Sequence, residues 1–279
     1  MTEKKAILCP NCNKLISSYV DKCPHCGLSA PSSKAKIYNA LGANQRNFTK
    51  IIITVNVILF IASYLLPVVL QLNVPAFRMN SGLLGLPLPS PSGLSLDLLG
   101  WADIRYLVRG DWWILITAMF LHGGILHILF NMLWVRDLAP QTEILFSPHK
   151  MVIIYILSGI GGNLLALFTP VFAQAFFSIS MNNYPVIGAS GAVFGLMGGI
   201  LAFGRKRGGF WGRQVVRQIG MWAVILIAMG FLFPGISNAG HIGGFLTGYL
   251  VGQLLPLKSS PSANKVYMAL GTGLIVICG

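Results

Sequence analysis

VIGASGAVFGLMGGILAFG, residues 186–204, holds no charged side chain and ends against three consecutive basic residues at 205–207. A helix needs about 20 mostly apolar residues to cross the hydrocarbon core of a bilayer. This stretch therefore predicts a membrane-spanning helix. Its glycines at 191, 195 and 199 recur every four residues, so they share one helix face, where the backbone of another helix can approach closely.

Similar apolar stretches lie on both sides of it. They cover residues 51–70, 112–135, 151–171, 215–233 and 239–257, and a shorter apolar piece at 266–279 is a candidate seventh span. The chain of 279 residues is 54% hydrophobic and only 10% charged, whereas about a quarter of the residues of a soluble domain are charged. We therefore predict an all-α polytopic membrane protein.

The basic residues predict the orientation. With the N-terminus placed in the cytoplasm, every basic residue except Arg78, Arg105 and Arg109 falls in or beside a predicted cytoplasmic segment. Those three lie in one long outer loop, residues 71–111, together with three aspartates. This is the positive-inside pattern. Topology explains the net charge of +13, so we expect no nucleic-acid partner. We also expect no cleavable signal peptide, because the chain opens with a polar, cysteine-containing segment.

Residues 1–30 predict a small zinc ribbon. Cys9 and Cys12 form one Cys-x-x-Cys pair, and Cys23 and Cys26 form another. Four thiolates brought together in this way suit tetrahedral Zn²⁺, and disulfides are disfavoured in a reducing cytoplasm. Residues 31–50 are a polar linker. The ribbon could bind a cytoplasmic partner or serve as a stable N-terminal plug, and the sequence leaves both open.

Four polar side chains fall inside the predicted spans, near their outer ends. They are His122, His127, Ser190 and His241. Polar groups in a membrane are costly and usually mark function. Each of them alone could be structural, but together they come from three helices and meet at one depth.

Glycine spacing predicts which two of them pair. The sixth span has glycines at 240, 244, 248 and 252, matching the row at 191, 195 and 199. Ser190 and His241 each stand next to the start of a row, so packing of the two rows would bring hydroxyl and imidazole together. A base at that distance activates serine as a nucleophile. No acid lies in either span, which predicts a Ser–His dyad.

Acyl transfer also needs hydrogen-bond donors for the oxyanion. His127 and Asn131 are four residues apart and share one face of the second span. They are candidate donors beside the backbone N–H of Ser190.

Three motifs resemble those of the rhomboid intramembrane serine proteases. They are GASGAVFG at 188–195, GHIGGFLTG at 240–248 and HGGILHILFN at 122–131, within a resemblance that covers about residues 48–257. It implies a six-helix rhomboid bundle at 51–257, followed at 258–279 by a cytoplasmic loop and the short apolar segment.

The resemblance also implies a serine endopeptidase of the plasma membrane. Such an enzyme cleaves transmembrane segments of membrane proteins near the outer face, without a cofactor for catalysis. Ser190 would attack and His241 would exchange the proton. His127, Asn131 and the Ser190 amide would hold the oxyanion. The supporting residues would be His122, Phe194, Gly188 and Gly244, with Phe194 packed against the catalytic histidine.

The sequence departs from the family pattern at two places. Ile114 follows Trp113 where the family often has arginine, and Gly240 stands where alanine is usual. Two rival functions stay open. One is a catalytically inactive rhomboid-like binding protein. The other is a transporter, in which glycine-rich helices and buried histidines would also be useful.

Overall fold

A computed structural model describes residues 6–9, 14–33, 48–81, 87–233, 235–257 and 261–278. Its architecture is a helical bundle with two small two-stranded sheets. The strands are β1 (Ala6–Leu8), β2 (Leu15–Ser17), β3 (Phe77–Ser81) and β4 (Pro87–Pro91). The helices are α1 (Phe48–Val69), α2 (Gly93–Leu98), α3 (Ile104–Val108), α4 (Ile114–Thr117), α5 (Ile125–Phe146), α6 (Pro148–Phe177), α7 (Ser190–Arg207), α8 (Gly209–Leu232), α9 (Asn238–Leu254) and α10 (Pro261–Cys278).

Helices α6, α7 and α9 form the centre of the bundle, because each packs on the other two. From Gly191 to Ile200 every residue of α7 is buried. Such a helix, apolar on all sides and shielded from lipid, is typical of a bundle interior. The outer helices α1 and α8 instead expose many large apolar side chains. Their outward faces are suited to contact lipid.

All six predicted spans are helical, but their bounds differ from the prediction. Three helices, α1, α6 and α8, are long and apolar enough to cross a membrane by themselves. Helix α7 ends in three basic residues and α9 has 17 residues, so both are short for a span. The predicted seventh segment is helix α10, which packs on the start of α6, where Gly271 meets the His149 backbone.

The second predicted span, 112–135, is wrong as one continuous helix. Helix α4 and the 3₁₀ turn Ala118–Phe120 are followed by α5 after a bend of 96°. At the break Leu121 is extended, with φ −95° and ψ 146°, and Gly123 and Gly124 follow. Helix α5 then runs on to Phe146, through residues that the sequence had suggested were a cytoplasmic loop.

The outer loop, residues 71–111, has its own structure. Strands β3 and β4 pair antiparallel, so the proline-rich stretch at 87–93 is not a spanning helix. Asp103 caps α3 and accepts from Arg105, whose Nη2 lies 2.7 Å from Asp103 Oδ2. This hydrogen bond to the Arg105 guanidinium lowers the pKa of the Asp103 carboxyl.

The N-terminal module is a small hairpin packed against three cysteines. Strands β1 and β2 pair antiparallel, and the Cys9, Cys23 and Cys26 side chains are buried with Ile16. The three sulfur atoms all lie within 4.8 Å of one another. This arrangement supports the predicted ribbon. Cys12, the fourth predicted ligand, lies outside the described residues.

Candidate active site

Ser190 is the first residue of helix α7. The first N–H groups of a helix have no partner within it, and Ala189, the residue before the helix, provides no side-chain cap. The amide of Ser190 is therefore a helix N-terminal donor, at the positive end of the helix dipole. The Ser190 side chain is half-buried.

The segment leading to Ser190 is held in place by backbone hydrogen bonds. Val186 and Ala102 exchange two of them, at 2.7 and 3.0 Å, and the Gly188 N–H donates to the Ala118 carbonyl at 2.8 Å. These bonds tie the segment to the outer loop and to the turn before the break. They fix the approach of the chain to Ser190 from two sides.

His241 lies in the first turn of α9 and is 8% exposed. Its ring stacks on Phe194 of α7, with centroids 4.2 Å apart and an interplanar angle of 16°. Nδ1 is buried without a hydrogen-bond partner among the described residues. The imidazole is thus oriented by ring stacking, and no carboxylate of the described chain holds it.

The two helices carrying Ser190 and His241 meet backbone to backbone. A Cβ atom at Gly191 would lie 3.5 Å from the Gly240 carbonyl oxygen, and each of these glycines is next in sequence to Ser190 or His241. Further along, a Cβ atom at Gly244 would overlap the Gly191 carbonyl, and one at Gly248 would overlap the Gly195 carbonyl. The predicted packing of the two glycine rows is therefore present.

The structure contains no hydrogen bond between the Ser190 hydroxyl and the His241 ring, both of which belong to the described chain. Hydrogen bonds between catalytic groups are often long without substrate and shorten in the reacting complex. The α7 and α9 backbones approach each other at Gly191 and Gly240, the glycines next in sequence to the two residues.

His127 and Asn131 lie on the other side of Gly188. A Cβ atom at Gly188 would be 2.6 Å from His127 Nε2 and 3.9 Å from Asn131 Nδ2. The Gly123 N–H donates to His127 Nδ1 at 3.3 Å, so a neutral His127 carries its proton on Nε2. Asn131 Nδ2 donates one hydrogen to the His127 carbonyl at 2.9 Å, and its second hydrogen remains available. Two donors thus face the segment before Ser190.

The sequence predicts His122 inside a helix, but the structure places it in the break before α5. It is fully buried, and its ring packs edge-on against His127, with centroids 5.0 Å apart. His122 thus lies beside a candidate oxyanion donor, just before the helix that carries it.

Sequence reasoning missed a fourth helix at the site. Gly162 of α6 lies where α7 and α9 meet: a Cβ atom there would be 2.7 Å from the Gly240 carbonyl oxygen and 3.2 Å from Gly191 Cα. Ser158, in the same segment of α6, packs against Gly195, and Asn163 donates to the Leu115 carbonyl at 2.9 Å. The signal was visible as the run Ser-Gly-Ile-Gly-Gly-Asn at 158–163.

The comparison with protein families gives the assignment. The Rhomboid domain family matches residues 109–258, which include every helix that carries a candidate site residue. The chain belongs to the rhomboid family. It is a multi-pass membrane protein, as the family and its apolar helices together indicate.

Three rhomboid relatives illustrate the range of the similarity. RHOMBOID-like protein 4 of Arabidopsis thaliana is 34% identical over 174 residues, 62% of this chain and 41% of the relative. RHOMBOID-like protein 6, mitochondrial, of the same plant is 35% identical over 62% of this chain and 53% of the relative. Rhomboid protease GluP of Bacillus subtilis is 30% identical over 61% of this chain and 31% of the relative. The matches span about half or less of these relatives.

The cysteine cluster can hold a metal ion. Cys9 Sγ and Cys26 Sγ are 3.6 Å apart, far beyond a disulfide bond of about 2.05 Å. Two ligands of a tetrahedral zinc with Zn–S bonds of about 2.3 Å are separated by roughly 3.7 Å. The turn around the second pair is formed by Gly27, at φ +71°, whose N–H donates to the Cys23 carbonyl.

Proposed function

We propose that this rhomboid protein is an intramembrane serine endopeptidase with a Ser190–His241 dyad. The observation that supports the proposal is the contact of α7 with α9 at Gly191 and Gly240, the glycines next in sequence to Ser190 and His241. The naming of the relative GluP as a rhomboid protease supports it at the level of the family.

The chemistry follows from the positions of the donors. His241 takes the proton of the Ser190 hydroxyl as its oxygen attacks the scissile carbonyl carbon, and the protonated imidazole then gives that proton to the leaving amine. Water attacks the acyl-enzyme in the same manner, with His241 again as base. The stacked Phe194 ring keeps the imidazole in one plane during both transfers.

The oxyanion would be held by three donors: the Ser190 amide, His127 Nε2–H and the second Asn131 Nδ2–H. His127 Nε2 and Asn131 Nδ2 both lie near the Cβ position of Gly188, two residues before Ser190, and glycine has no side chain to fill that space. Donors fixed in a water-poor site before the reaction stabilise the developing charge most effectively. Substrates would be transmembrane segments, cleaved near the outer face. The protein would lie in the plasma membrane, with its N-terminus in the cytoplasm.

An activity-based probe tests the dyad. A fluorophosphonate should label the purified protein at Ser190, and Ser190→Ala or His241→Ala should abolish both labelling and cleavage of a single-pass model substrate. The melting temperature of Ser190→Ala should stay near that of the wild type, because Ser190 is half-buried, whereas His241→Ala also loses the ring stacked on Phe194 and should melt lower. Full cleavage by either folded variant would exclude the dyad.

The same test separates the rival functions. An inactive rhomboid-like binding protein would retain a labelled substrate segment without cleaving it, in the wild type and in Ser190→Ala alike. A transporter is not favoured, since His241 is the one polar side chain that is buried on the described helices α7 and α9.

We further propose that the N-terminal module binds one structural Zn²⁺ through Cys9, Cys23, Cys26 and Cys12. The three buried sulfur atoms within 4.8 Å of one another support it. Elemental analysis of the purified protein should find one zinc per chain, and catalysis would need no cofactor. We also propose that the ribbon binds a cytoplasmic partner. Binding of a cytoplasmic protein to the folded protein is the measurement that tests this.

A further inference from the structure

A second cluster of polar side chains lies at the opposite end of α7 from Ser190. Helix α7 has 18 residues, so its two ends are about 27 Å apart. At its C-terminal end, between α7 and α8, is an open cavity of about 500 Å³. Its lining includes Arg205, Arg213 and Arg217, together with Gly204, Gly208 and Gly212.

The glycines leave the cavity empty. The backbones of α7 and α8 touch at Gly204 and Gly212, and nothing lies within 4 Å of a Cβ atom at Gly208 or Gly209. Glycine backbone, Val216 and the three arginines therefore form the lining. All three arginines are exposed.

The arginines have no acidic partner in their own half of the molecule. Residues 144–279 contain no aspartate or glutamate, and the described structure has no salt bridge to any of the three. By contrast, Arg136 on α5 lies 3.1 Å from Asp137. Like charges gathered around one cavity repel one another, and no carboxylate of the described residues pairs with these three.

The neighbouring aromatic residues place the cavity at the level of lipid headgroups. Phe210 and Trp211 are 72% and 50% exposed at the start of α8, and tryptophan is enriched at membrane–water interfaces. Basic pockets between membrane helices on the cytoplasmic side suit anionic headgroups. Arginine forks bind phosphate oxygens in bidentate fashion.

We propose that this arginine-lined cavity binds the phosphate of an anionic phospholipid headgroup. The ligand chemistry is that of a phosphodiester with a net negative charge, and its source is the leaflet opposite the catalytic end of α7. The proposal rests on membership of a membrane family and not on protease activity. The two can therefore fail separately.

Native mass spectrometry of the detergent-purified protein tests it. We expect retention of phosphatidylglycerol but not of phosphatidylcholine with the same acyl chains. R213Q/R217Q should reduce the bound fraction about tenfold, while R136Q, which removes an arginine that has its own carboxylate, should leave it unchanged. R213K/R217K keeps the charge but lacks the fork, and should bind at an intermediate level.

The other outcomes overturn the proposal. Equal retention of the two lipids, or wild-type retention by a folded R213Q/R217Q variant, would show that the cavity is not a headgroup site. A third arm adds inorganic phosphate at millimolar concentration. If phosphate alone displaces phosphatidylglycerol and raises the melting temperature as much, the site takes free phosphate and not a lipid.

Discussion

Gly188 shows how a single residue limits the candidate oxyanion site. Its φ of +118° lies in the region that L-residues rarely adopt, and a Cβ atom there would be 2.6 Å from His127 Nε2. We expect Gly188→Ala to displace the imidazole and to slow cleavage about a hundredfold, as small misplacements of catalytic groups do. Rates of cleavage of a model substrate in detergent measure the effect.

Gly110 provides the matched control for backbone strain. Its φ is +100°, yet nothing lies within 4 Å of its Cβ position. Gly110→Ala should carry a similar conformational cost of about 1–3 kcal/mol and still cleave at close to the wild-type rate. Equal losses of activity in the two variants would mean that strain, and not the contact with His127, explains the effect at Gly188.

Asn131 gives a graded test of the oxyanion donors. Asn131→Ala should slow cleavage by about a hundredfold without abolishing it, because one of several donors is lost. Gln141 lies on the same helix and makes the same kind of bond, from its side-chain amide to the carbonyl four residues earlier, but it is exposed. Gln141→Ala should therefore leave the rate unchanged. An unaffected rate in Asn131→Ala would remove Asn131 from the mechanism.

The contact of α7 with α9 makes glycine necessary well away from the dyad. Gly248 lies about two turns along α9 from His241, and a methyl group on it would overlap the backbone of Gly195. Backbone cannot move aside as a flexible side chain can. Gly248→Ala should lower the free energy of unfolding by about 1–3 kcal/mol and reduce activity as well.

Gly220 is the control for that substitution. It is also a helical glycine, on α8, where a Cβ atom would meet only Leu201 Cδ1 at 3.9 Å. Gly220→Ala should be neutral or stabilising by up to about 1 kcal/mol, since alanine is the better helix former. Thermal unfolding followed by loss of helical circular dichroism or by aggregation compares the two. A stable Gly248→Ala variant would contradict the close approach of the helices.

The glycine rows explain why part of the bundle could be predicted from sequence. Spacing by four is a local signal, and it identified the faces of α7 and α9 that meet. The break before α5 has no such periodic signal: Gly123 and Gly124 stand at it, but glycine is also tolerated inside a helix. The bend depends on contacts made in the folded chain, including the Gly188 N–H to the Ala118 carbonyl. The contact of Gly162 of α6 with Gly191 and Gly240 likewise depends on how three helices assemble.

At the scale of the whole molecule, two lysines connect the C-terminal end of α9 to neighbouring helices. Lys206 of α7 donates to the Gly252 and Leu255 carbonyls at 3.1 and 3.0 Å, which satisfies the last carbonyls of α9. Lys150 of α6 donates to the Pro256 carbonyl at 2.6 Å and lies over the Tyr267 ring of α10. The helix that carries His241 is thus held at both ends: by the glycine contact at its start and by lysine at its finish.

The N-terminal module has a core of its own and makes the last test. Apart from its cysteines, Ile16 is the one buried apolar residue in its described part, and so small a core rarely folds without a metal. Cys9→Ser with Cys26→Ser should reduce zinc from one per chain to none and unfold the module. Cleavage by the detergent-solubilised protein should stay mostly intact, because Ser190, His241 and their supports come from α5, α6, α7 and α9. Cys278→Ser, the control for loss of a thiol, should keep the zinc. A collapse of activity on loss of zinc would mean that the module is an integral part of the catalytic bundle.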